Sequence, residues 1–216
     1  MLLGDFGTTW TKILDTATGE RRLMPTYETR SLRVDMATGH NAQHHAPRFI
    51  NELLALVVGG LGRLGNGPWM LIDVGSRDLK LVQVEDGRPV RMEWNNACGA
   101  LTGFTLELLG RYFQLDFSRI APADEPSSFT CGVFGIERLF DQIAQGASIE
   151  LAIARFACGL ARQTHAFLNR SKSFYLSGGM CDNTLFLQSF PKDIEVHTLG
   201  RFLLLDGLLA ESRVAR

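Results

Sequence analysis

The sequence predicts an α/β fold of two similar lobes facing each other across a cleft. Three observations predict it. A strand–turn–strand pattern occurs twice, as LLGDFGTTWTK from Leu2 and as LIDVGSRDLK from Leu71. Each copy reads strand, Asp, x, Gly, Ser or Thr, and then Lys five residues past the Gly, an internal duplication. Both copies are followed by helical patterning, and 216 residues suffice for one large domain or two small lobes.

Leu2 to Phe6 reads as a strand, Gly7-Thr8-Thr9 as a tight turn, and Trp10 to Leu14 as the returning strand, followed by a turn over Asp15 to Glu20. The stretch from about Arg21 to Pro47 is polar and reads as irregular; its His40, His44 and His45 read as an exposed loop rather than a metal site. Pro47 opens a helix to about Leu64, where Gly59, Gly60 and Gly62 suggest close packing. Gly65-Asn66-Gly67-Pro68 stops it. A truncated N-terminal lobe is thus expected over 1–68 and a C-terminal lobe over 69–216.

In the second lobe Trp69 to Ile72, Leu79 to Val84 and Pro89 to Trp94 read as strands. Helices are expected over Ala100 to Phe113, Val133 to Ile143 and Ser148 to Asn169. A buried strand over Phe174 to Leu176 runs into Ser177-Gly178-Gly179, and a helix begins near Asn183. Ile194 to His197 is the last strand, and the closing helix over Phe202 to Ala210 is free to pack back on the first lobe.

Apolar residues make up 45% of the chain, enough for a core. The 22 basic and 23 acidic residues leave no basic excess of the kind a nucleic-acid partner needs. The N-terminus lacks the basic leader of a signal peptide, and no stretch has the length and apolarity of a membrane span. A cytoplasmic location is the default expectation. The four cysteines, at 98, 131, 158 and 181, form no Cys-x-x-Cys pair, so they are either buried free thiols or ligands of a site assembled by the fold or by two chains.

A Gly-Thr-Thr turn presents backbone N–H groups and hydroxyls towards one point, a nest for phosphate. A carboxylate ending the preceding strand repels phosphate but can hold Mg²⁺ or its waters, and the metal bridges to the phosphates. Asp5 and Asp73 are therefore expected as a facing catalytic and Mg²⁺-holding pair. Gly7, Thr8, Thr9 and Lys12 are expected on the phosphates from one lobe, and Gly75, Ser76 and Arg77 from the other. Gly178 and Gly179 let backbone approach a planar ligand closely. Asn183 suits either a helix cap or a ribose contact.

Asp5-x-Gly7-Thr8-Thr9-x-x-Lys12, Asp73-Val74-Gly75-Ser76-Arg77-Asp78-Leu79-Lys80, Asn95-Asn96-Ala97-Cys98-Gly99-Ala100-Leu101-Thr102-Gly103 with Glu107 beyond it, Cys131-Gly132-Val133-Phe134 and Ser177-Gly178-Gly179-Met180-x-x-Asn183 follow one another along nearly the whole chain. In this order they resemble the ATP-dependent activators of 2-hydroxyacyl-CoA dehydratases and the ATPase subunits of benzoyl-CoA reductase, the BadF/BadG/BcrA/BcrD group. That group belongs to the acetate kinase/sugar kinase/Hsp70/actin superfamily. The resemblance implies duplicated ribonuclease H-like (actin/Hsp70-type) ATPase lobes with ATP and Mg²⁺ in the interlobe cleft. It also implies one [4Fe–4S] cluster per homodimer, held by Cys98 and Cys131 of each chain. An electron from ferredoxin or flavodoxin would pass, driven by ATP, to a dehydratase or reductase partner, with no nucleic acid or membrane involved.

The chain departs from the family pattern at Arg77, where Gln is usual, at Leu101, where Gly is usual, and at Leu56, where a Glu-x-x-x-His pattern from Glu52 ends without its His. Gly135-Ile136-Glu137-Arg138 follows the second cysteine motif where Ala-Glu-Ser-Glu is usual, and Arg201 stands where small residues pack on the nucleotide. Two rival readings are a small-molecule kinase of the same superfamily, with Asp78 as base, and a non-catalytic regulatory or assembly subunit.

Overall fold

The computed structural model describes residues 1–95, 103–127 and 132–214. Strands β1 (Leu2–Phe6) and β2 (Trp10–Asp15) form an antiparallel hairpin in which Asp5 lies opposite Lys12. β3 (Arg21–Pro25) pairs with β2, while β4 (Met36–Gly39) runs parallel to β1 and β5 (Arg48–Phe49) parallel to β4. The sheet order is β3-β2-β1-β4-β5. After helix α1 (Glu52–Leu64) the plan repeats. β6 (Trp69–Val74), β7 (Leu79–Glu85) and β8 (Arg88–Asn95) form a meander, and β9 (Ser173–Ser177) and β10 (Glu195–Gly200) add in parallel. Read from its β8 edge, the second sheet runs β8-β7-β6-β9-β10, matching the first strand for strand, and Asp73 lies opposite Lys80.

Two local expectations need correction. The stretch 21–47 is not irregular, because it holds β3 and β4. β4 reads Met-Ala-Thr-Gly, too short and too small to show an alternating pattern, and its pairing with β1 (Leu3 with Met36, Asp5 with Thr38) makes it a strand. The first helix starts at Glu52, because the Asn51 side chain accepts the Leu53 N–H at 2.8 Å and caps it there. Pro47 instead precedes β5.

The remaining helices are α2 (Gly103–Tyr112), α3 (Gly132–Ala144), α4 (Ile149–Phe167), α5 (Thr184–Gln188) and α6 (Leu203–Val214). Ser148 caps α4 by accepting the Leu151 N–H at 3.1 Å. Apart from Asp73, β6 is apolar because both its faces are covered. Ile72 and Val74 pack with Phe156 and Leu160 of α4, and Trp69 and Leu71 with Leu56 of α1. Phe156, Phe174 and Phe186 are at most 1% exposed, and each such burial contributes on the order of 1.5–3 kcal/mol.

The two lobes exchange helices. α1, which follows the first sheet in sequence, covers the second, while α6 lays Leu205 and Leu208 against Leu3, Leu14 and Met36 of the first sheet. α1 and α6 cross on glycines. A Cβ at Gly59 would lie 2.6 Å from the Leu203 carbonyl oxygen, and one at Gly207 would collide with the backbone of Ala55. Gly60 admits the Trp69 ring, whereas Gly62 faces open space. Asp206 of α6 ties the crossing to α1 through Arg63 at 2.9 Å and to β3 through Arg21. Among the described residues no helix is long and apolar enough to cross a membrane.

Candidate functional site

Both hairpins direct their strand-end carboxylates to one cavity of about 320 Å³ between the sheets. Asp5 is 1% exposed and accepts from Lys12 Nζ at 2.6 Å; Asp73 is 5% exposed and accepts from Ser177 Oγ at 2.8 Å. Gly7, Thr8 and Thr9 line the cavity from the first lobe, Gly75 and Ser76 from the second, and Gly179 and Asn183 from the loop after β9. Gly178 has φ +93°, and a Cβ there would lie 2.5 Å from the Val74 carbonyl oxygen. Only glycine lets this loop lie against the end of β6. Asn183 accepts the Phe186 N–H at 2.9 Å and caps α5.

A second set of charges forms the cavity floor. Lys80, on β7, donates to Asp78 Oδ1 at 2.7 Å and reaches Glu52 Oε2 at 2.8 Å. Asp78 Oδ2 accepts from Trp94 Nε1 at 2.8 Å, and Lys80 Nζ sits 4.9 Å from the centre of the Trp94 ring. Burial raises the Glu52 carboxyl to about 7, against the pull of Lys80. Burial works to lower both lysines, but for Lys12 the charges of Asp5 and Asp73 outweigh it, and for Lys80 those of Glu52, Asp73 and Asp78, so both stay above the ordinary lysine value. Both ammoniums are therefore fixed charges at neutral pH.

Among the described residues, three buried polar atoms at this site lack a hydrogen-bond partner: Thr9 Oγ1, Arg77 Nε and Arg201 Nε. Thr9 and Arg201 line the cavity, and Arg77 sits between the lining residues Ser76 and Asp78. Arg201 is ion-paired with Asp182 beside the Gly178-Gly179 loop. The histidines separate. His40 lines the cavity, His45 stacks on Phe6 with centroids 3.8 Å apart, and His44 is exposed.

Sequence reasoning assigned no ligand-facing role to Glu52, His40, Trp10 or Phe117, all of which line the cavity. The signal available for Glu52 was the Glu-x-x-x-His pattern that starts there and ends in Leu56 without its His. Trp10 Nε1 donates to Glu107 Oε2 at 3.0 Å, which ties β2 to α2.

Cys98 and Cys131 lie outside the described residues. Of the two described cysteines, Cys158 is buried within α4 and Cys181 donates its thiol to the Leu176 carbonyl at 3.2 Å. Burial raises both thiols, Cys181 to about 12. Among the described residues no group of three or more His, Cys, Asp or Glu is placed to hold a metal.

No family model matches the chain. Among curated proteins it is 29% identical over 127 residues to the activator of lactoyl-CoA dehydratase of Anaerotignum propionicum, an alignment covering 52% of this chain and 48% of that protein. The solved activator of the 2-hydroxyisocaproyl-CoA dehydratase from Clostridium difficile, with bound ADPNP, superposes with TM-score 0.78 at 18% identity, covering 100% of this chain and 97% of that one. The (R)-2-hydroxyglutaryl-CoA dehydratase component A of Acidaminococcus fermentans gives 0.77 at 20% identity, covering 100% and 99%. The curated relatives this chain is similar to are activators of CoA-ester dehydratases, at 22–29% identity over 52–60% of this chain. The chain's fold is that of these two solved proteins, two similar α/β lobes facing each other across a cleft. In the sequence alignments the chain spans about half the length of the curated activators it matches.

Proposed function

We propose that this chain is an ATP-dependent activator that binds Mg²⁺–ATP in the interlobe cavity and hydrolyses it to drive low-potential electron delivery to a 2-hydroxyacyl-CoA dehydratase or benzoyl-CoA reductase-like partner. The observation that carries the reading is the matched pair of hairpins, Asp5 opposite Lys12 and Asp73 opposite Lys80, closing on one cavity. In this reading residues 1–68 and 69–216 are the two ATPase lobes, with α6 returning to the first.

Gly7, Thr8, Thr9 and Lys12 hold the phosphates from one side and Gly75, Ser76 and Arg77 from the other, while Gly178, Gly179 and Asn183 border the nucleoside. The cavity lining supports a metal requirement. Asp5, Glu52, Asp73, Asp78, Glu107 and Asp182 outnumber Lys12, Lys80 and Arg201, so a bare triphosphate would be repelled. Mg²⁺ typically takes one or two carboxylates and completes its shell with water and phosphate oxygens. Asp5 and Asp73 fit that donor set without a third protein ligand.

Cys98 and Cys131 of two chains would hold one [4Fe–4S] cluster, which supplies a one-electron carrier taking its electron from ferredoxin or flavodoxin. An exposed apolar face favours the homodimer. Phe104, Leu108 and Tyr112 recur along α2, and Phe134 and Phe140 lie on α3, the helices that follow the two cysteine motifs. The cavity is also tied to the Cys98 stretch. Gly103 and Phe104 donate their N–H groups to the Gly75 and Ser76 carbonyls at 3.2 and 3.1 Å, and Trp94 bonds Asp78. A shift of the second phosphate turn thus reaches residues on both sides of Cys98.

Anaerobic purification tests the reading. A brown homodimer with about four irons, bleached by Cys98→Ala or Cys131→Ala, is expected, together with ATP hydrolysis under reducing conditions. A colourless monomer sinks it, and a cluster-bearing dimer without hydrolysis returns the chain to the regulatory class.

A further inference from the structure

Arg77 and His40 meet across the cleft. Arg77 belongs to the turn of the second hairpin, between Ser76 and Asp78. His40 follows β4 in the first lobe, and its N–H is held by the Phe6 carbonyl at 2.8 Å. Arg77 Nη2 lies 3.4 Å from His40 Nδ1. That contact is long, and it requires a neutral imidazole accepting at Nδ1, a weak partner for a guanidinium compared with phosphate oxygens.

Two further atoms show that this arrangement is incomplete. Among the described residues Arg77 Nε has no partner, and neither has Oγ1 of Thr9, a residue that lines the cavity from the opposite hairpin. Buried donors left unsatisfied carry a desolvation cost that an oxyanion between them removes. The surrounding acidic lining holds the first-lobe ammonium, Lys12, on Asp5. Arg77 has no carboxylate partner among the ion pairs of the described residues.

We propose that His40 and Arg77 form a latch between the lobes that the terminal phosphate of a nucleoside triphosphate opens. Arg77 leaves His40 and joins Thr9 on that phosphate, so the pair sets the preference for triphosphate over diphosphate. The proposal rests on the nucleotide reading above and adds a positioning role for His40, which holds Arg77 away from the phosphates until a ligand competes for it.

Calorimetric titration with magnesium adenylyl imidodiphosphate and with magnesium ADP tests it. Arg77→Gln should lower the triphosphate-to-diphosphate affinity ratio about tenfold, as expected for one charge-assisted phosphate contact, and Arg77→Lys should lower it less. His40→Ala should tighten triphosphate binding a few-fold, leave diphosphate binding unchanged, and have no effect in the Arg77→Gln background. A role limited to stability moves both nucleotides together. An unchanged ratio in Arg77→Gln, or a His40 effect that survives there, overturns the latch while leaving nucleotide binding intact. Absence of binding of either nucleotide by the wild-type chain overturns the nucleotide reading and the latch with it.

Discussion

Lys80 Nζ, on the second sheet, lies 2.8 Å from Glu52 Oε2 at the start of α1, and both side chains are at most 10% exposed. The pair joins the element leaving the first lobe to the second phosphate hairpin. Lys80→Met strands Glu52 and Asp78 as buried carboxylates. Removing one member of a buried ion pair costs about 3–5 kcal/mol. Urea denaturation should show a loss of that size, part of it recovered in the Glu52→Gln, Lys80→Met double variant.

The raised Glu52 carboxyl gives stability a direction with pH. Its value is about 7 in the folded chain against an ordinary 4.5. Between those values the folded chain keeps a proton that the unfolded chain has released, so stability falls as pH rises towards 7. The full difference corresponds to roughly 3 kcal/mol at most. Melting temperatures from pH 5 to 8 should therefore fall more steeply for the wild type than for Glu52→Gln. Parallel curves would remove Glu52 as the source.

Asp73→Asn keeps the bond from Ser177 but loses the charge that attracts a metal. Magnesium-dependent ATP hydrolysis should drop on the order of a hundredfold, with the melting temperature little changed. Hydrolysis at the wild-type rate would exclude Asp73 from the metal site.

Tyr112 is 71% exposed and meets Phe140 edge-on at 6.3 Å. Placing a charge in a dimer interface is strongly unfavourable. For the proposed homodimer, Tyr112→Asp should give a folded monomer in sedimentation velocity where the wild type sediments as a dimer, and a variant dimer that persists would place the interface elsewhere.

Gly207→Ala drives a methyl group into the Ala55 backbone. Overpacking of this kind costs about 1–3 kcal/mol. Gly62→Ala, in open space, should instead be neutral or slightly stabilising.

What was legible in the sequence was local. The hairpins showed because Asp, Gly and Lys recur at one spacing on alternating strands, and α4 showed because Ser148 and a long periodic face mark it. β4 was hidden, since Met36 to Gly39 become a strand only by lying beside β1. The Glu52–Lys80 pair and the His40–Arg77 contact join positions 28 and 37 residues apart (80 − 52 and 77 − 40), and neither partner signals the other. Cys98 and Cys131 acquire their reading from the surrounding motifs, as the described geometry ends on either side of them.

Because α1 covers the second sheet and α6 the first, each half of the chain carries the other's lid. A nick in the 65–68 connection would leave two fragments, each with a bare apolar sheet face and an orphaned helix that fits its counterpart. Such fragments are built to reassociate rather than fold alone. Movement between the lobes must then proceed by sliding at the Gly59–Gly207 crossing, since pulling the halves apart uncovers both cores at once.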